Sequence, residues 1–156
     1  NWSPISINSD LNLAFVSGIH APIKYTLHEK NTENGITEYT SSEPTNDPQW
    51  GLLSAINLST GKIQWQYKTP QPLVGGTLST KGGLVFLGEG NGNFNAIDAA
   101  SGALLWQTYI DAGVNAPPIT YLIDGEQYIA VAAGGNKIMG FSQGDYISVY
   151  KLPKAE

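Results

Sequence analysis

Cysteine is absent from this chain, which excludes disulfides, thiolate metal sites, a cysteine nucleophile and covalent c-type haem attachment within these residues. The two histidines, His20 and His28, lack the close spacing and helical context of a zinc pair, and the many serines include no nucleophile-elbow motif. Charge is also sparse. Eight Lys+Arg against thirteen Asp+Glu leave a net charge of −5, whereas a phosphate-backbone partner needs clustered positive charge, so no nucleic-acid role is expected. No apolar run approaches the roughly 18–20 residues that span a bilayer, and Asn1-Trp2-Ser3-Pro4 is not a signal peptide, so any export signal is expected upstream. No helix-length amphipathic period stands out, and no pair of carboxylates is singled out by spacing as an acid/base couple.

Glycine and proline are plentiful, 18 and 9 residues, and they punctuate short apolar runs as in a β protein. Among those runs one pattern occurs twice. Gly51-Leu-Leu-Ser-Ala55-Ile-Asn57-Leu-Ser-Thr-Gly61-Lys-Ile-Gln-Trp65 returns forty-one residues later as Gly92-Asn-Phe-Asn-Ala96-Ile-Asp98-Ala-Ala-Ser-Gly102-Ala-Leu-Leu-Trp106. A period of about 40 residues with strand-type spacing is that of a β-propeller, whose four-stranded blades stack around an axis. Closing such a ring takes about four to eight blades, and 156 residues supply about three. The expected fold is therefore all-β: an arc of two and a half to three four-stranded antiparallel blades, in one partial domain.

The blades are expected at 1–69, 70–111 and 112–153. The first is interrupted by a polar insertion at 28–49, with a small hairpin expected at Asn34-Gly35. The third has inner strands at 115–121, 127–133 and 145–150 but lacks an outer one, which points to a strand supplied from elsewhere. Leu84–Leu87 and Tyr128–Ala133 are apolar without alternation, so both are expected to be buried on both faces. An open arc would leave the apolar faces of its end blades in water, and some partner should cover them.

The recurrent Trp65 and Trp106 are expected to pack between blades with their indole N–H on a neighbouring carbonyl, and Asn57 and Asp98 to cap the turns that follow them. Glu89-Gly-Asn91-Gly-Asn93 offers oxygen ligands like the start of a calcium loop, but Ala100 stands where the closing carboxylate is needed. Its glycines lead into a strand rather than a helix, so they form no dinucleotide fingerprint either; the segment reads as a turn.

The pattern Ala-x-Asp/Asn-x-x-(Thr/Ser)-Gly-x-x-x-Trp at Ala55–Trp65 and Ala96–Trp106 resembles the tryptophan-docking motif of dehydrogenases that use pyrroloquinoline quinone (PQQ). Asn1-Trp2-Ser-Pro4, Gly75–Phe86, Pro118-Ile-Thr-Tyr121, Gly125–Gly135 and Gly144-Asp145 extend the likeness over nearly the whole chain. The resemblance implies the C-terminal arc of an eight-bladed periplasmic enzyme. Such an enzyme oxidises alcohols or sugars by hydride transfer to PQQ held with calcium or a lanthanide. It also implies that the metal ligands and the base belong to blades preceding Asn1, so that this arc alone is inactive and holds no cofactor stably.

What the resemblance carries onto this chain is Asn1 as a hydrogen-bond donor and Trp2 as a pocket wall, with Val114 or Asn115 meeting the cofactor at the entrance of the last inner strand. Leu73, Val74 and Asn136 stand where methanol oxidisers and other members often carry tryptophans, and the ending Gly144–Pro153 looks closer to the sugar- and polyol-oxidising branch. The implied partners are the missing blades of the same protein, the substrate and an electron acceptor. Two alternatives remain open: a non-catalytic propeller module for protein binding or envelope assembly, and separately made arcs that associate into a ring.

Overall fold

A computed structural model describes residues 3–26, 30, 31, 37, 38 and 41–151. Every element it assigns there is a strand. Strands β1 (Ser6–Asn8) and β2 (Leu13–His20) open the first blade. The chain then leaves the blade through β3 (Ile23–Thr26), β4 (Lys30–Asn31), β5 (Thr37–Glu38) and β6 (Ser41–Pro44), and returns as β7 (Trp50–Asn57) and β8 (Ile63–Thr69). The second blade is β9 (Thr77–Ser79), β10 (Leu84–Gly88), β11 (Asn93–Asp98) and β12 (Leu104–Tyr109), and the third β13 (Ile119–Ile123), β14 (Glu126–Ala133) and β15 (Tyr146–Lys151).

The blade sheets run β1-β2-β7-β8, β9-β10-β11-β12 and β13-β14-β15, antiparallel throughout, so the third has three strands. The excursion from the first blade starts directly after His20, ahead of residue 28. Among the described residues there, β3 pairs only with β6, and β4 pairs with β5. Asn34-Gly35 lies outside the described residues, as does His28.

The repeated pattern has identical anatomy in two blades. Phe15, Ala55 and Trp65 form a row across β2, β7 and β8, and Phe86, Ala96 and Trp106 form the same row across β10, β11 and β12. A register shift follows Ala55 in one blade and Ala96 in the other. The first row packs on the second blade, in a core with Leu53, Leu73, Val85 and Ile97. The second packs on the third blade, in a core with Phe94, Val114, Ile129 and Val131.

Position in the arc decides burial. β10, in the middle blade, is sandwiched, with Val85 turned to the first blade and Phe86 to the third, and four of its five residues are buried. β14 was expected to be buried on both faces. Instead Ile129, Val131 and Ala133 are buried while Ala132 is exposed, because among the described residues nothing packs on the far side of the third blade. The first blade likewise leaves a row facing away from its neighbour, Ile7, Ala14, Ile56 and Ile63, with Ile7 and Ile63 more than half exposed.

The last inner strand also differs from expectation, beginning at Ile119 rather than Asn115. Pro117 and Pro118 have no N–H to give a ladder and hold the preceding backbone away from strand pairing. Val114 and Asn115 therefore lie in the connection between blades.

Candidate functional site

In an antiparallel blade the second strand ends where the first began, so the turns between second and third strands lie at the same end as the connections from one blade to the next. Three such segments meet here: the blade connections 70–76 and 110–118 and the turn 89–92. The N–H of Val114 donates to the Glu89 carbonyl at 3.0 Å, and that of Ile110 to the Gly92 carbonyl at 2.8 Å. The turn between β14 and β15 joins them, with Gly113 N–H on the Ser142 carbonyl at 2.8 Å and Gly135 N–H on the Gly113 carbonyl at 2.9 Å. A Cβ on Gly75 would lie 3.3 Å from the Asn115 backbone, so the two blade connections touch directly.

Of the four residues carried over by resemblance, the structure treats each pair differently. Asn1 and Trp2 lie outside the described residues. Their neighbours are fastened to the first connection: Ser3 Oγ–H donates to the Val74 carbonyl at 2.5 Å, and the Thr77 N–H donates to the Pro4 carbonyl at 3.1 Å. Val114 is fully buried, in the core between the second and third blades. Asn115 is the unusual one. Both polar atoms of its amide are shut away from solvent and neither has a hydrogen-bond partner.

An unpaired buried polar group costs about 1–3 kcal/mol. Four such side-chain atoms occur among the described residues, and three belong to the two blade connections: Oδ1 and Nδ2 of Asn115 and Oε1 of Gln71. Gln71 belongs to no motif in the sequence. Its only signal was a polar residue between Pro70 and Pro72 in an otherwise apolar connection. A donor and an acceptor held unpaired at one end of an inner-strand arc fit a polar ligand bound at that end.

Beneath this end lies Glu89, 2 % exposed, which the sequence marked only as part of a turn. Its Oε1 accepts from Asn95 Nδ2 at 2.5 Å and its Oε2 from Asn91 Nδ2 at 3.1 Å. Burial first, and the Glu89 charge second, push the Tyr67 phenol above its ordinary value. Among the described residues no group of three His, Cys, Asp or Glu side chains could hold a metal ion, and no helix is long and apolar enough to cross a membrane.

The opposite end carries the docking turns. Trp65 Nε1–H donates to the Ala99 carbonyl at 3.1 Å, and a Cβ on Gly102 would lie 2.7 Å from the Trp65 ring, so the indole lies directly on the next blade's turn. Trp106 has no such turn to meet among the described residues. It is 40 % exposed and sits edge-on to Tyr150, 5.2 Å between centroids. Beside it runs a groove of about 570 Å³ lined by Phe86, Leu105, Ile129, Val149 and Tyr150, next to the unpaired edge of β15.

These features define an open propeller arc whose inner-strand end carries unpaired polar groups. Its family is shown by comparison: residues 25–129 match the model of the PQQ glucose/ethanol/alcohol dehydrogenase β-propeller domain, and the chain belongs to that family. It is 36% identical over 154 residues to the quinoprotein alcohol dehydrogenase PedE of Pseudomonas putida, covering 97% of this chain and 24% of that protein. It is 35% identical over 130 residues to the quinoprotein glucose dehydrogenase of Escherichia coli, covering 70% of this chain and 16% of that one. Among solved structures, the quinohemoprotein alcohol dehydrogenase of Comamonas testosteroni superposes with a TM-score of 0.79 at 25% identity, over 99% of this chain and 27% of that chain. A europium-containing methanol dehydrogenase gives 0.72 at 26% identity, over 85% and 24% of the two chains. The chain thus spans about a quarter of the length of the curated relatives it matches.

Proposed function

We propose that this chain is the C-terminal arc of a PQQ-dependent dehydrogenase of the periplasm that oxidises an alcohol or sugar. Further blades of the same polypeptide would cover the Ile7–Ile63 face of the first blade and fill the Trp106 groove beside the third. The observation that carries the reading is Asn115, whose amide is unpaired and buried in the connection where the resemblance places the quinone.

PQQ, when bound with its metal, supplies a two-electron acceptor for the hydride of a carbinol. The residues of this chain do the binding. The Asn115 Nδ2–H group is a donor suited to the carboxylate and carbonyl oxygens of such a cofactor, and Asn1 would act likewise. Trp2 would form the apolar wall that keeps water from the reacting carbon. Val114, buried in the core between the second and third blades, would be the alternative contact at the same entrance. The arc would contribute no metal ligand and no base, so by itself it would neither hold PQQ firmly nor turn over.

The test is an assay of the complete natural polypeptide, reconstituted with PQQ and calcium or a lanthanide, with a dye acceptor and a panel of alcohols and sugars. Turnover is expected, and Asn115→Ala should lower PQQ affinity at least tenfold. Absence of quinone binding by the complete polypeptide would refute the reading and leave the non-catalytic propeller module.

A further inference from the structure

Glu89 is the one carboxylate among the described residues that belongs to the buried set, and nothing derived so far uses it. A buried charge normally has an opposite charge or several hydrogen bonds to hold it. Here it has no cationic partner among the described residues, only the amides of Asn91 and Asn95. Asn95, fully buried, passes the chain of bonds on: its Oδ1 accepts from Gln107 Nε2 at 2.8 Å, across the β11–β12 pair in which the two residues face each other. The order is thus carboxylate, amide, amide, running from the interior to the exposed edge of the blade.

One of the carboxylate's bonds, from Asn91, lies within the turn 89–92, and the other, from Asn95, ties that turn to β11; the turn is the seat of the second blade connection. Glu89 carbonyl accepts from both Gly92 N–H, at 3.2 Å, and Val114 N–H, at 3.0 Å. A Cβ on Gly113 would lie 3.0 Å from the Gly90 carbonyl, and one on Gly88 would strike Val114. The backbone from 110 to 114 therefore rests on this turn without slack, and Asn115 is the next residue.

We propose that Glu89 is a positioning residue for Asn115: its buried carboxylate braces the turn 89–92 and so fixes the orientation in which the Asn115 amide meets the cofactor. The inference rests on the reading that Asn115 contacts PQQ. It predicts that geometry matters more than charge. In Glu89→Gln the relay can invert, with Asn95 and Gln107 turning their amides over so that each donor again faces an acceptor. In Glu89→Ala it cannot.

The test is a PQQ titration of the complete dehydrogenase as apoprotein with calcium present, followed by protein fluorescence, in a double-mutant cycle with Asn115→Ala. Glu89→Ala should weaken PQQ binding about tenfold, Glu89→Gln should stay within about threefold of the unsubstituted protein, and Glu89→Ala should have no further effect once Asn115 is alanine. Affinity unchanged in Glu89→Ala, or the same loss in the presence and absence of Asn115, would overturn the proposal. If Glu89→Ala does not fold, Asn91→Ala removes one of the two braces at a partly exposed position. A loss of about threefold that vanishes in the Asn115→Ala background then supports the proposal, and no loss or an additive one overturns it. Failure of the unsubstituted protein to bind PQQ, or normal binding by Asn115→Ala, would refute the Asn115 contact itself and this inference with it.

Discussion

Trp65 and Trp106 occupy the same place in the same repeated pattern, yet one is docked and the other is not. The turns beside them are equally well made. Asn57 Oδ1 accepts from the N–H groups of Ser59 and Thr60 at 3.1 and 3.0 Å, and Asp98 Oδ1 from Ser101 N–H and Oγ–H at 2.7 and 2.6 Å. Gly61 and Gly102 close the two turns with φ of 68° and 78°, a backbone region that favours glycine. What differs is the neighbour. A Cβ on Gly102 would meet Trp65, whereas one on Gly61 would meet nothing within 4 Å. Among the described residues the motif forms one interface, in which the first blade's tryptophan lies on the second blade's glycine turn.

The largest expected effect is that of Trp65→Ala, which removes the ring from Gly102 and the bond to Ala99. It should cost about 3–4 kcal/mol in urea unfolding of this chain, while Trp106→Ala costs about 1–2 kcal/mol, since its ring is partly in water. Equal costs would break the comparison. Next, Gly102→Ala should lose about 2–3 kcal/mol, from positive φ and from collision with the indole, against about 1 kcal/mol for Gly61→Ala, where only the backbone term applies. In the complete polypeptide the gap should close, because the preceding blade would set a tryptophan on Gly61.

The smallest effect separates the turns by chemistry. Hydrogen bonds first from the Ser101 hydroxyl and then from the Ser101 N–H hold the Asp98 carboxyl below its ordinary range. A depressed carboxylate contributes stability above its unfolded pKa and loses it as pH falls through the folded one, so this contribution fades below about pH 4. Asn57 does not titrate. Asp98→Asn should flatten the dependence of Tm on pH between 2 and 4, and Asn57→Asp should steepen it.

The part of the fold that could be read from residues alone is the part fixed by this reciprocal chemistry. Alanine where strands crowd, Asx at the turn, glycine at positive φ and tryptophan on the next blade recur because each blade must solve the same packing problem. Burial of β14 could not be read, since Tyr128–Ala133 looks like Leu84–Leu87 and only the presence of a neighbour on each side tells them apart. The available sign for the start of the last inner strand was Pro117-Pro118, two residues that have no N–H to give a ladder.

The candidate site was legible only through family likeness, which pointed to Val114 or Asn115 without choosing between them. Packing treats the two differently, burying Val114 in the core and leaving the Asn115 amide without a partner. The role of Glu89 escaped because a carboxylate beside glycines reads as a solvated turn. The available sign was an acidic residue placed directly after the wholly apolar stretch Leu84–Leu87 and Gly88.

Hydrogen exchange of the Trp65 and Trp106 indole N–H groups in the complete natural polypeptide, read by ¹⁵N-tryptophan labelling, tests the arc most directly. Both are expected to be protected to a similar degree, because a further strand and turn would give Trp106 the carbonyl that Ala99 gives Trp65. Free exchange at Trp106 beside a protected Trp65 would contradict it, and would mean that the open groove belongs to the finished protein.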